Sequence, residues 1–244
     1  MEAGEIEALE RDVVAAVAPP EMVEIEGWLA PLAAGTIGRA KSAVPLAHDV
    51  DAGALEEIEA AFVSRGLAPG FRIAETPGLA PVREALAARG FTPRQPTVFK
   101  TGAVAQLAAF SGTSARLLTA PDEAWGAVFL GEGFDPVDGA HRVEVLTRSP
   151  AAIYGAAGEG EAIQAVGVMS FGARWAGIHG MRTARAHRGK GHASAILAAF
   201  GREAAARGYD RVCLQVEAPN ETARSIYRRA GFREIWTYRY WRRD

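Results

Sequence analysis

A chain of 244 residues, 49% apolar and with a net charge of −2, is long enough for two lobes or one enlarged domain and can bury a real core. An isoelectric point near 6.2 gives no basic surface for nucleic acid, and one cysteine, Cys213, excludes an intramolecular disulfide, which suits a reducing cytoplasm. The first twenty residues are acidic and amphipathic, unlike a signal peptide, and no apolar run approaches the ~18 residues of a membrane span, so a cytoplasmic protein without a membrane partner is expected.

In chain order, residues 5–18 read as a helix stopped by Pro19 and Pro20. Strand-like runs follow at 25–32 and 40–46, separated by Gly35 and Gly38. A helix over 52–64 carries Leu55, Ile58, Ala61 and Phe62 on one face and stops at Gly66. Residues 71–75 form a short strand, 79–89 a helix and 97–100 another strand. The sparsely charged stretch 101–115, TGAVAQLAAFSGTSA, reads as a linker.

Beyond it, 115–120 is a strand and 121–133 a helix with Pro121 in its first turn, and 138–149 is a second helix. Residues 151–156 and 162–171 alternate like hairpin strands joined by GEGE, and WAGIHGMRT (175–183) is a fourth strand. It leads into HRGKGHA (187–193) and a helix with Ile196, Leu197, Phe200 and Ala204 on its inner face, ending at Gly208. The strand VCLQV, a helix over 221–229 closed by Gly231, and the strand FREIWTYRYW complete an α/β chain with a binding loop at a strand's C-terminal end.

The stretches 63–91 and 205–232 run in the same order: helix end, strand, helix, Gly-aromatic. From Gly66 to Gly90 is 24 positions and from Gly208 to Gly231 is 23, which reads as a degenerate duplicated lobe.

The loop Arg188-Gly189-Lys190-Gly191-His192-Ala193 aims successive backbone N–H groups and the positive end of a helix dipole at one spot. Small residues at 189, 191 and 193 admit a pyrophosphate, and Arg188 and Lys190 add charge. A Walker loop would need Ser or Thr after Lys190, where Gly191 stands. A dinucleotide fingerprint would need glycine at Ser194.

LQVEAPNETARSIYRRAGF (214–232) carries N-x-x-A-x-x-x-Y-x-x-x-G-F from Asn220, 27 positions after Ala193. Together with R-G-K-G-H-A, this resembles the GNAT acetyltransferase superfamily over residues 113–244. Arg185 stands where the family pattern often has proline. The resemblance implies an α/β acyl-CoA N-acyltransferase fold, a mixed and mostly antiparallel sheet flanked by helices. With the repeat, it implies a tandem arrangement: a degenerate lobe over 1–112 and a catalytic domain over 113–244.

It further implies acetyl-CoA as cosubstrate, with the amides of Gly189, Lys190, Gly191, His192, Ala193 and Ser194 on its pyrophosphate beside Arg188. The backbone of Met181, Arg182 and Thr183 would pair with the pantetheine arm. Asn220 would bond that arm or cap a helix, and Tyr227 would protonate the leaving thiolate. The amide at Thr183 or its neighbour would hold the oxyanion. Transfer to a primary amine of a small molecule or peptide would be direct, within a ternary complex. A non-catalytic acyl-CoA-binding regulatory module of the same fold is the alternative, and a homodimer is compatible with either.

An amine of pKa about 10.4 needs a base. His179 is a candidate because two-residue periodicity puts it on the strand face of Met181 and Thr183, and Glu217 is the second. Cys213 reads as core, Trp236, Tyr238 and Tyr240 as packing that partly lines the acceptor site, and the histidines show no metal-ligand spacing. In the first lobe, HDVDAGA (48–54) replaces the phosphate loop and Leu86 takes the place of Tyr227. One CoA per chain is therefore expected.

Overall fold

The computed structural model, which describes residues 1–243, places an element on almost every stretch read above. The chain runs α1 (Ala3–Ala15), β1 (Met22–Ile25), β2 (Trp28–Pro31), β3 (Val44–Pro45), α2 (Leu55–Val63), β4 (Gly70–Ala74), α3 (Ala80–Ala88), β5 (Thr92–Ala103) and α4 (Val104–Ala108). It continues through β6 (Arg116–Leu118), α5 (Glu123–Ala127), α6 (Pro136–Thr147), β7 (Ala152–Ala157), β8 (Ala165–Phe171) and β9 (Ala176–Thr183). The last elements are α7 (His192–Ala206), β10 (Arg211–Glu217), α8 (Glu221–Arg229) and β11 (Arg233–Arg242). No helix among the described residues is long and apolar enough to cross a membrane.

Eight strands form one mixed, mostly antiparallel sheet in the order β4-β11-β5-β10-β9-β8-β7-β6, with only β9 and β10 parallel among the paired neighbours. The two repeats, α2-β4-α3-β5 and α7-β10-α8-β11, exchange their last strands. β5 lies between β11 and β10, and β11 lies between β4 and β5. The lobes read over 1–112 and 113–244 therefore share a sheet, and their hydrogen bonding is continuous across it.

Several boundaries moved for local reasons. In place of one strand over 25–32, a hairpin pairs β1 with β2, turned at Glu26 and Gly27, whose positive φ values of 43° and 79° match the twist of a two-residue turn. The linker reading of 101–115 is corrected: 101–103 extend β5, and 104–108 form α4, whose Leu107 is fully buried in the core shared with α7. A five-residue helix has little stability of its own, so tertiary packing supplies it. The stretch 121–133 holds only α5, which starts where Asp122 accepts the Trp125 N–H at 2.8 Å. α6 likewise begins early, at Pro136 after the Asp135 cap.

Each sheet face has its own core. Ile196, Leu197, Phe200 and Ala204 of α7 pack on Met169, Ile178, Val212 and Leu214, the inner face expected from their spacing. Trp125, Phe129 and Leu146 cover Tyr154, Val166 and Val168 on the other face. A third core, under α1, α2 and α3, contains Phe71, Phe99, Tyr238 and Trp241.

Candidate active site

The site begins where two strands part. β9 and β10 pair at only three positions, ending at Ile178 with Leu214; β9 then runs on to Thr183 and β10 to Glu217. The cleft between them leaves one edge of β9 without a strand partner over residues 179–183. The backbone of Met181, Arg182 and Thr183 was expected to offer such an edge to an extended ligand.

A groove of about 610 Å³ occupies one side of the cleft. It is lined by residues 181–183, by the loop 187–194, by Glu217, and by Asn220, Ala223, Ile226 and Tyr227 at the start and inner face of α8. Every cosubstrate-binding residue named from the sequence therefore lies along one groove. Gly189 and Gly191 have φ of +80° and +83°, and a Cβ at either would meet no atom within 4 Å. Glycine is thus required there by the left-handed backbone, which turns the amides outward.

The consequence is a run of free donors. No N–H of residues 189–194 donates to a protein acceptor among the described residues; Ala195 is the first to do so, to the Gly191 carbonyl, and no side chain caps α7. Six consecutive unpaired amides at the start of a fifteen-residue helix make a site for an anion. Lys190 lies 2.7 Å from Glu159, and Arg188 reaches back to the Thr183 carbonyl.

Asn220 caps α8, its Oδ1 accepting the Ala223 N–H at 3.1 Å. This uses the carbonyl end of its side chain and leaves the NH2 end free of that bond. Tyr227 is buried, its ring edge-on to Phe232, and burial pushes its phenol up to about 12. It stays protonated throughout the neutral range.

A second cavity, of about 170 Å³, lies beside the groove and contains Arg39, Arg142, His179, Gln215, Tyr238 and Tyr240 on its walls. Glu217 lines both spaces and accepts from Gln95 Nε2 at 2.8 Å. His179 belongs to this second cavity and not to the groove that holds Tyr227.

The expected parity of His179 with Met181 and Thr183 is corrected. The β8–β9 register slips between Val166 and Val168, opposite Gly180 at φ +58°, so a bulge interrupts the two-residue period. Met181 consequently packs toward Phe200 and α7, whereas Arg182 stacks over Phe129 and Phe134 on the face of α6. His179 faces Arg39 and Ser170. An arginine N–H can only donate, so His179 Nδ1 accepts from Arg39 at 2.8 Å, and Nε2–H points to Ser170 Oγ at 2.8 Å. Burial, and then Arg39, hold the ring well below its ordinary pKa. The basic lone pair is already engaged, which argues against the base role expected for His179.

This geometry has a stability consequence. His48, pushed down to about 4 by burial and Arg72, is also neutral in the fold. In the unfolded chain both histidines titrate near 6.5. As pH falls below about 6.5 the unfolded chain takes up protons that the native state refuses, so stability present above that pH declines towards pH 4. The melting temperature should fall from pH 7 to pH 4.5, and His48→Asn should flatten part of that slope. A flat profile in the parent protein would remove the argument.

Other candidates resolve simply. Cys213 is buried and its thiol is pushed far up by desolvation, as a core residue should be. Trp236 packs on His48 and Phe99, while Tyr238 and Tyr240 reach the second cavity. Histidine spacing suggested no metal ligands, yet Glu159, His187 and His192 bring ligating atoms within 4.8 Å of one another beside the loop. Arg39 had no signal beyond a basic residue after Gly38, two positions before Lys41.

Comparison with known proteins identifies the family and the fold. Residues 3–241 match the family model described as "Probable histone acetyltransferase Rv0428c C-terminal". A GCN5-related N-acetyltransferase from Kribbella flavida superposes with a TM-score of 0.73 at 18% identity, covering 98% of this chain and 96% of that one. A functionally unknown conserved protein from Staphylococcus epidermidis gives 0.67 at 14%, covering 92% and 94%. A tandem GNAT protein from the clavulanic acid biosynthesis pathway gives 0.57 at 15%, covering 75% and 66%. No curated protein matches in sequence.

Proposed function

From the premise that this chain belongs to the Rv0428c C-terminal family of acetyltransferases, within the GNAT superfamily, we propose that it transfers an acetyl group from acetyl-CoA to a primary amine. The observation that carries this reading is the run of six unpaired amides at residues 189–194, facing the groove between the parted strands. A pyrophosphate supplies the acceptors they lack, and the free edge of β9 suits the amide-bearing arm that follows it.

The acetyl thioester then lies towards Glu217, where groove and second cavity meet. Glu217 takes the proton from the attacking ammonium, directly or through water, in place of His179. An amide near Thr183 stabilises the oxyanion, and Tyr227 donates to the departing sulfur. Transfer is direct, in a ternary complex. Residues 113–244 carry this chemistry, and the lobe over 1–112 contributes Arg39 and Gln95 to the second cavity. With exposed Asp49 and Asp51 at the corresponding loop and Leu86 in place of a tyrosine, that lobe binds no CoA of its own, and calorimetry should return one site per chain.

Gly191→Glu tests the loop. A carboxylate there repels phosphate, and CoA affinity should fall about tenfold or more, the equivalent of about 1.4 kcal/mol. Gly191→Ala suffers the same left-handed backbone strain without the charge, so the difference between the two variants isolates the electrostatic part. Equal affinities in the two would overturn the loop assignment, and a panel of amines that releases no free CoA would overturn the transferase reading in favour of a non-catalytic acyl-CoA-binding module.

A further inference from the structure

Arg39 lies in the 3₁₀ turn Gly38–Lys41, half-buried on the wall of the second cavity. Its hydrogen bond to His179 is the one contact it makes to a polar side chain, and no carboxylate pairs with it among the described residues. The acids beside its cationic neighbours are committed, Glu10 to Arg72, and Asp138 to Arg142 and Arg182, while Glu217 on the same cavity accepts from Gln95. The Tyr238 hydroxyl donates to Gln215 Oε1. Desolvation disfavours a charge here, and a cation kept in such a place without a counter-ion is costly unless a ligand brings one.

The same cavity also carries the opposite sign, for Glu217 lines both it and the groove proposed for acetyl-CoA. The wall thus offers an uncompensated cation at Arg39 and an acid, Glu217, that it shares with the groove. We infer that the acceptor is a free amino acid, held with its carboxylate on Arg39 and its amino group at Glu217. The inference rests on the acetyltransferase reading above. A guanidinium fork matches a carboxylate in two parallel bonds, and His179, fixed through Ser170, holds that fork in place as a positioning residue. A lysine side chain of a peptide presents an ammonium alone and would leave Arg39 unpaired. The volume, about 170 Å³, is below the ~300–1,000 Å³ of drug-sized ligand sites, in keeping with a small molecule.

The test compares amino acids with their decarboxylated amines, such as phenylalanine with 2-phenylethylamine and lysine with 1,5-diaminopentane, alongside a lysine-containing peptide. In the full-length protein with acetyl-CoA, kcat/KM for at least one amino acid should exceed that of its amine by tenfold or more. Arg39→Gln should shrink that ratio at least tenfold, the usual size of a lost charged hydrogen bond. CoA affinity and melting temperature verify that the variant is folded, and if it is not, the ratio in the parent protein decides alone. Amines or peptide acetylated as well as amino acids, or a ratio that Arg39→Gln leaves unchanged, would overturn the inference while acetyl transfer stands. If no amine is acetylated, calorimetry of the same amino acids on the CoA-bound protein decides. Binding that Arg39→Gln abolishes upholds the carboxylate site and fails the acetyltransferase reading, and no binding overturns both.

Discussion

Tyr227→Phe should lower turnover about 10²-fold while CoA affinity and melting temperature change little. The hydroxyl is the only group removed, and the ring that fills the core against Phe232 is retained. An ordinary thiol has a pKa of about 8.5, so a thiolate leaving near neutral pH carries some penalty that a donor relieves. Burial pushes Tyr227 up to about 12, which would make full proton transfer uphill to a thiolate in water. The departing sulfur is released into the same groove, and desolvation that disfavours a phenolate disfavours a thiolate too. The two proton affinities therefore rise together. The rate should show no loss from Tyr227 ionisation up to about pH 10. Turnover kept within threefold in the Phe variant would assign the tyrosine to packing and leave the thiolate to water.

What the sequence reveals about this site is what lies close together in it. Residues 187–194 form one loop, so glycine spacing and a following apolar helix suffice to place the anion site, and Asn220 to Tyr227 sit on a single helix face. The second cavity assembles Arg39, His179, Gln215 and Tyr238, separated by up to 199 positions, and no local pattern marks them. Arg39 and His179 meet across the two lobes, whose strands β5 and β11 are exchanged in one sheet, and strand exchange leaves no trace in hydrophobic periodicity. The parity of His179 failed for a different reason. One residue of bulge turns a two-residue period over, and Gly180 inside a strand was the available sign of it. The alanine-rich stretch that became α4 has neither period nor caps, so its helix follows from contact with α7 and not from its own residues.

Glu10→Ala should cost about 3–5 kcal/mol of stability, because it strips a buried arginine of the only carboxylate paired with it among the described residues. Arg72 on β4 and Glu10 on α1 are 1% and 3% exposed, with Arg72 Nη2 donating to Glu10 Oε2 at 2.5 Å. The Nε and Nη1 groups of Arg72 already lack hydrogen-bond partners among the described residues, so the guanidinium holds no second acceptor in reserve. The Tyr238 ring lies 5.2 Å away, and a cation–π contact of about 0.5–2 kcal/mol cannot replace an ion pair in a dry interior. For a chain of this size the melting temperature should drop by roughly 10 °C. The loss belongs to the stranded charge and not to the missing contact, so Glu10→Leu combined with Arg72→Met should recover most of it. Arg72, with Arg142, also raises the electrostatic cost of charging Arg39. While Glu10 neutralises it, Arg39 is left as the cation at the cavity without a carboxylate, and the ion pair that anchors α1 also sets the charge that a ligand meets. A drop of less than about 1 kcal/mol in Glu10→Ala would mean that water reaches Arg72, and the account of a dry, charge-balanced wall would fail.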